Sequence, residues 1–480
     1  MNASRPFEPL PVLSDNPDFV ARLAKNWGTP DRTVGVSPGM AESMAGHRAL
    51  LSAALPGRTL LVHAGQPLVR NDDNFYAFRP DSNFFWLTGC AAEFSVLLMT
   101  PSSGGHDSTL FVPAPVYPGS ADFIADRNYS ELWVGSAPGA SEWSTALGID
   151  VRPLSELESV LRGLSGGAPL VAGRPIDPAH FGAELAVSAE LAKVISELRL
   201  IKDDWELAQL RLAVDTTVSG FAAVAAELPR AVLDGGERWL QGTFDRHART
   251  YGNGPGYATI VGGGGHGAVL HWTRTDGPIN EGELVLLDAG VEARTFYTSD
   301  VTRTFPVSGT FSPEQRMTHD LVQAAYEAGL AAVGPGKPFT GFHYAAMEVI
   351  ARGLHDWGLL PVSVDEALSD EGQHHRRYLI CGIGHHVGLD VHDCSKAEHD
   401  HYHGAPMREG MVLTVEPGLY FHSNDLSLPP ELRGIAARIE DDVLVTATGS
   451  ENLSEALPRD AAGLEHWVDQ ATSQSQRRRP

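Results

Sequence analysis

The sequence predicts a mixed α/β (α+β) protein of two domains, the second of which carries the same order of elements twice. The chain has 480 residues, more than one hydrophobic core usually serves. Its first third reads as short apolar strands punctuated by Gly and Pro, whereas from about residue 196 long helical patterns precede apolar strands, and that order then recurs. Apolar residues make up 42% of the chain and charged residues 20%, with 50 Gly and 32 Pro spread throughout, which excludes wholesale disorder.

The expected strands of the first domain are TLLVHA (59–64), FSVLLMT (94–100), STLFVPAP (108–115) and PLVAG (169–173). Leu185, Val187, Leu191, Val194 and Leu198 recur at helical spacing and mark a connecting helix over 182–200. This sets a first domain at 1–195, a second at 196–462 and a flexible polar tail at 463–480. Asp203, three residues before Glu206, forms a capping-box pattern that opens a helix over 204–228, and a second helix follows at 234–250. Strands are then expected at 257–261, 283–290 and 297–305. The Gly262–Gly265 run has no Lys-Ser/Thr after it, so it reads as a flexible loop rather than a phosphate cradle. The order repeats from Ser312-Pro313-Glu314-Gln315, an N-cap with Pro at the first helical position, whose helix stops before Gly334. A helix at 341–357 and strands near 378–384, 411–416 and 435–446 complete the second half.

The charge balance is 36 Lys+Arg against 60 Asp+Glu, a formal net of −24 that repels phosphate backbones and anionic lipid, so neither nucleic acid nor a membrane is an expected partner. Three cysteines without CxxC spacing build neither a disulfide framework nor a thiolate zinc site. With no apolar export segment at the start and no run long enough to span a bilayer, a cytoplasmic location is expected.

The residues with chemistry lie in the second domain's strands. Asp288 in LVLLDAG is an acid inside a continuous apolar run, where an ionised carboxylate needs a compensating charge. Asp300 stands 12 residues later, and a turn near Arg294 would set the two aspartates face to face across a hairpin. A shared proton or a divalent cation would resolve their repulsion, while an Asp300–Arg303 ion pair is the plainer alternative. Glu416 precedes Pro417-Gly418 at a strand end, where a side chain reaches the rim of a sheet. Arg438 and Glu440 are two apart on one strand face, as a site pair or as a surface ion pair. Eight of the 20 histidines fall between 374 and 403, among them His385 after a glycine turn and His392 seven residues on. The HDHYH run at 399–403 lacks apolar flanks and reads as a solvated loop.

LHW around His271, LLDAG, SDVTRTFP, GIGHHVGLDVHD, TVEPGLY and ARIEDD occur in one order, and FRPDSNFFWLTG (78–89) precedes them. In these stretches the chain resembles the aminopeptidase P and prolidase family of metallopeptidases. The resemblance implies an N-terminal α/β domain of creatinase/prolidase type followed by a duplicated "pita-bread" catalytic domain. It also implies that Asp288, Asp300, His385, Glu416 and Glu440 hold two divalent metal ions, with Asp300 and Glu440 bridging. Mn(II) is the expected metal, with Co(II), Fe(II) or Zn(II) as competitors. By the same resemblance His271 and His392 are expected to face the substrate and Arg438 to support a bridging acid, and Glu416 is the expected shuttle for the water's proton. His386 departs from the bulky aromatic that relatives often carry there. Asp73 matches a position that some relatives extend toward a neighbouring subunit's active site, and a homo-oligomer, dimer or tetramer, is expected.

The activity so implied is release of the N-terminal residue from peptides with proline second. Xaa-Pro dipeptide cleavage by a prolidase shares the same ligands and is the alternative. An inactive peptidase-like binding module would have lost ligands, and all five are present.

Overall fold

Residues 11–164, 168–174 and 187–477 are described by a computed structural model of the chain. The chain divides into two compact units, Met1–Ile195 and Ser196–Pro480, with the boundary inside the helix Ala189–Arg199. Residues 182–186 of the expected connecting helix lie outside the described residues.

In the first unit a five-stranded sheet forms from β1 (Leu60–His63), β2 (Val96–Ser102), β3 (Gly105–Val112), β4 (Asp150–Pro153) and β5 (Leu170–Gly173). Its order is β4-β3-β2-β1-β5, antiparallel from β3 to β1 and parallel at both edges. β1 is buried along its whole length, its Leu60, Leu61 and Val62 giving the continuous apolar run of a strand covered on both faces. Leu61, Val96, Leu98, Phe111 and Val171 form the core on one face.

The second unit opens with α1 (Asp204–Ala226), capped reciprocally by Asp203 and Glu206 at 2.8 and 2.9 Å, and α2 (Gly236–Tyr251). The strands β6 (Ile260–Gly263), β7 (Leu284–Ala289) and β8 (Val301–Pro306) follow as an antiparallel sheet ordered β8-β7-β6. The second half repeats the plan with α3 (Pro313–Ala331), α4 (Gly341–Asp356), β9 (Val412–Val415), β10 (Gly418–Tyr420), β11 (Ala436–Arg438), β12 (Asp441–Val445) and β13 (Ser450–Asn452). Here β9-β12-β13 form one sheet and β10 pairs with β11. The halves meet where Thr302 of β8 bridges Glu440, each backbone N–H donating to the other's carbonyl at 3.3 and 3.1 Å. That seam sets acids from both halves beside one another.

Several expectations are corrected. The Gly262–Gly265 run is not a loop: Gly262 and Gly263 pair with Leu286 and Val285 in the sheet, and a short 3-10 helix, Gly264–Ala268, follows. Residues 378–384 are not a strand either. Ile383 and, just past the segment, His385 accept from Glu416 and Thr414 at 3.0 and 2.8 Å, so the segment's end is tethered beside β9 without extending a ladder. Residues 463–477 are no flexible tail, since Ala461–Arg477 forms α5. Leu464, Trp467 and Val468 recur at helical spacing and pack that helix on the core that contains Phe305.

Candidate metal centre

Asp288 is in β7 and Asp300 stands just before β8. Their register differs from the expected face-to-face pairing, because Asp288 lies opposite Thr302. Asp300 is two residues back along the same strand direction and so shares that face. The connecting hairpin closes tightly behind them: a Cβ on Gly290 would stand 1.7 Å from the Ser299 carbonyl oxygen. Only glycine fits there.

The Tyr257 hydroxyl reaches both carboxylates, at 2.7 Å from Asp288 Oδ1 and 2.5 Å from Asp300 Oδ1. From the second half, His385 Nε2 lies 3.4 Å from Asp300 Oδ2 and 3.5 Å from Glu416 Oε1. Donor atoms of Asp300, His385 and Glu440 all fall within 4.8 Å of one another. Glu440 is 2% exposed, and its Oε2 accepts from the Thr302 hydroxyl at 2.6 Å.

Arg438 supports a different acid from the one expected. Its Nη2 donates to Asp288 Oδ2, its Nη1 to the Tyr420 hydroxyl at 2.7 Å and its Nε to Thr302 Oγ1 at 3.1 Å. It reaches Glu440 only through Thr302. The Asp300–Arg303 pair is also absent, because Arg303 is fully buried against Asp441 at 2.6 Å.

These acids are crowded beyond what their neighbours neutralise. Burial, with the Asp300 charge adding to it, raises Asp288 despite Arg438. Burial and the surrounding Asp300, Glu416 and Asp288 push Glu440 well above the usual carboxylate range. Glu416 rises to about 7, chiefly through burial. Burial alone would lower His385, yet Asp300 and Glu416 lift it to about 9. Three buried carboxylates, the part-exposed Glu416 and one imidazole, with a single guanidinium among them, form an oxygen-rich donor set short of positive charge. Divalent cations fit that deficit in charge and in hardness.

A cavity of about 480 Å³ opens on this cluster, lined by all five expected ligands with His271, His392 and Arg438. Tyr257, Ile260, Leu270, Val391 and Tyr420 make up apolar wall. The His392 ring stands 4.2 Å from that of His385. His386 turns away from the cavity and stacks on Phe339 at 4.8 Å, so an imidazole fills an aromatic position. Asp73 belongs to the first unit, at the tip of the hairpin Val69–Asn71 and Asn74–Phe75, where it is 73% exposed and 3.7 Å from Arg127.

Tyr257, Thr302 and Asp442 escaped the sequence reading. Asp442 accepts from the Asp300 backbone N–H at 3.1 Å. Two acids in succession after Glu440 were the available signal, since a strand buried on both faces rarely carries them without a task.

Residues 208–447 match the model of Metallopeptidase family M24, and residues 44–171 match that of the Aminopeptidase P, N-terminal domain. Over 465 residues the chain is 43% identical to a Streptomyces coelicolor protein called Xaa-Pro aminopeptidase 2, covering 95% of this chain and 97% of the other. The Escherichia coli Xaa-Pro aminopeptidase is 32% identical over 453 residues, covering 89% of this chain and 97% of its own. The solved structure of E. coli aminopeptidase P with the inhibitor Pro-Leu superposes with a TM-score of 0.76 at 28% identity, covering 92% of this chain and 100% of that one. Since both matched segments fall in the order that the two units take and nearly the whole chain aligns, this protein is a member of the aminopeptidase P family within the M24 metallopeptidases.

Proposed function

We propose that the protein releases the N-terminal residue from peptides with proline second, using two divalent cations held by Asp288, Asp300, His385, Glu416 and Glu440. Asp300 and Glu440 would help to hold both cations, and Mn(II) would be the metal, ahead of Co(II), Fe(II) and Zn(II). The observation that carries this reading is the convergence of four carboxylates and one imidazole on a single cavity wall in a chain 43% identical to a Xaa-Pro aminopeptidase.

A peptide bond to proline has no N–H, so recognition must rest on the rigid ring and on the carbonyls. When bound, the cations lower the pKa of water and polarise the scissile carbonyl. Glu416 takes the water's proton at its carboxylate and passes it to the proline nitrogen. His392 and His271, at the cavity edge, hydrogen-bond the substrate carbonyls as charge develops. Arg438, anchored by Tyr420, keeps the Asp288 carboxylate oriented. The substrate's free amine sits beside Asp300, and the apolar wall takes the proline ring. The exposed Asp73 hairpin is free to face a neighbouring subunit, in keeping with a dimer or tetramer. No described helix is long and apolar enough to cross a membrane, and a cytoplasmic site of action is part of the proposal.

A matched pair of substrates tests the reaction. The Mn(II)-loaded enzyme should release alanine from Ala-Pro-Ala and cleave Ala-Pro far more slowly. Cleavage of Ala-Pro with Ala-Pro-Ala left intact would make the protein a prolidase instead.

A further inference from the structure

An ion cluster centred on the buried Asp393, the residue after His392, is built from residues that line no part of the cavity. Lys202 Nζ donates to Asp393 Oδ2 at 3.1 Å, and Arg199 Nη2 donates to Asp393 Oδ1 and, at 3.1 Å, to Asp390 Oδ2. The side chains of Arg199, Lys202 and Asp393 are 4%, 1% and 1% exposed. Removing charges that deeply from water is expensive, and a cluster of this kind is not by itself a source of net stability. Its placement offers another role.

The segment 386–393 is a turn without regular structure, and its shape is fixed from behind by this cluster. The Asp393 N–H donates to the His386 carbonyl at 2.8 Å, and Gly388 N–H to the Asp390 carbonyl at 3.1 Å. A Cβ on Gly388 would come within 2.4 Å of Asp393 Oδ2 and 3.1 Å of Lys202 Cε, so the turn wraps the ion pair with no space for a side chain. The Cys394 thiol donates to the same Asp393 carboxylate at 3.2 Å. On its other edge the Gly388 carbonyl accepts from the Thr298 N–H at 2.9 Å, two residues before Asp300. Lys202 is itself anchored, its N–H donating to the Gly410 carbonyl at 2.8 Å. Burial alone would raise Asp393, yet Arg199 and Lys202 hold it well below the usual carboxylate range.

We propose that Asp393, clamped between Arg199 and Lys202, is a positioning residue that fixes the imidazole of its chain neighbour His392 against the substrate. The inference rests on the reading of His392 as the hydrogen-bond donor to a substrate carbonyl. A donor that acts on developing charge must already be aimed, because reorienting it during the reaction forfeits its advantage. The clamp supplies that aim from outside the cavity.

A double-mutant cycle on the Mn(II)-loaded full-length enzyme with Ala-Pro-Ala tests this. His392→Ala should lower kcat by about 100-fold. Lys202→Met should lower kcat by about 10-fold, with KM changed by less than about threefold and metal content retained. The double variant should fall no more than about twofold below His392→Ala alone, because the clamp has nothing left to aim. Arg199→Lys, which keeps the charge but shortens the reach, runs the same cycle should Lys202→Met fail to fold. Equal losses from the clamp variant with and without His392 would overturn the positioning role while leaving the role of His392 intact. An unchanged kcat in His392→Ala would overturn the role of His392 and the clamp with it.

Discussion

Glu440→Gln should lose at least one cation per chain and drop peptidase turnover by orders of magnitude. Glu440 is 2% exposed and packed among Asp300, Glu416 and Asp288, so its charge is tolerable only where cations offset it. The amide keeps the shape and a hydrogen-bond partner for Thr302 but removes one negative charge from a position assigned to both cations. Arg438→Ala should do less. It frees the Asp288 carboxylate that Arg438 now orients, and metal affinity should fall by about 10–100-fold, with partial rescue by excess Mn(II). Elemental content and initial rates measured on the same preparations check both. Two cations per chain and near-normal turnover in Glu440→Gln would remove this residue from the site.

Arg303→Met should destabilise the second unit by about 3–5 kcal/mol, a large share of the roughly 5–15 kcal/mol that holds a domain folded. Arg303 is fully buried and donates to Asp441 at 2.6 Å and to the backbone carbonyls of Thr302, Glu440, Leu457 and Pro458. Without it the Asp441 carboxylate keeps Ser454, Asn452 and a guanidinium 3.7 Å away on Arg459, which does not offset a buried charge. Removing both charges, as Arg303→Met with Asp441→Leu, should recover much of the loss, since a buried pair exchanged for apolar side chains is often close to neutral. Urea unfolding of the metal-loaded proteins separates the cases. A cost below about 1 kcal/mol for Arg303→Met would mean that the pair is solvated rather than buried.

The acids of the site were legible in the sequence because their chemistry contradicts their surroundings. Asp288 interrupts LVLLDAG, and Glu416 stands at a strand end closed by Pro417-Gly418. Both capping boxes were legible for a similar reason, being local patterns that three or four residues complete. What depends on tertiary register was not. The two-residue offset of Asp300 from Asp288 is set by the length of the turn and by Gly290 closing on Ser299, and neither shows in the alternation of apolar residues. Arg438 shares a strand face with Glu440 but turns to Asp288, since Thr302 from β8 stands between them. The run 378–384 has strand composition, but its hydrogen bonds to neighbouring segments fall at Tyr378 and Ile383, too far apart for a ladder, and composition cannot tell a tethered segment from a ladder. The last helix was missed because its apolar residues, Leu464, Trp467 and Val468, are few and sit among polar ones.

The central claim is that cations held by these acids drive cleavage of the bond before proline. It is tested most directly by measuring metal content and Ala-Pro-Ala cleavage on one preparation, before chelation, after it and after Mn(II) is restored. The account predicts two divalent cations per chain at full activity, loss of cleavage as they are stripped, and its return with Mn(II). Full cleavage by protein carrying less than about a tenth of a metal ion per chain would contradict it.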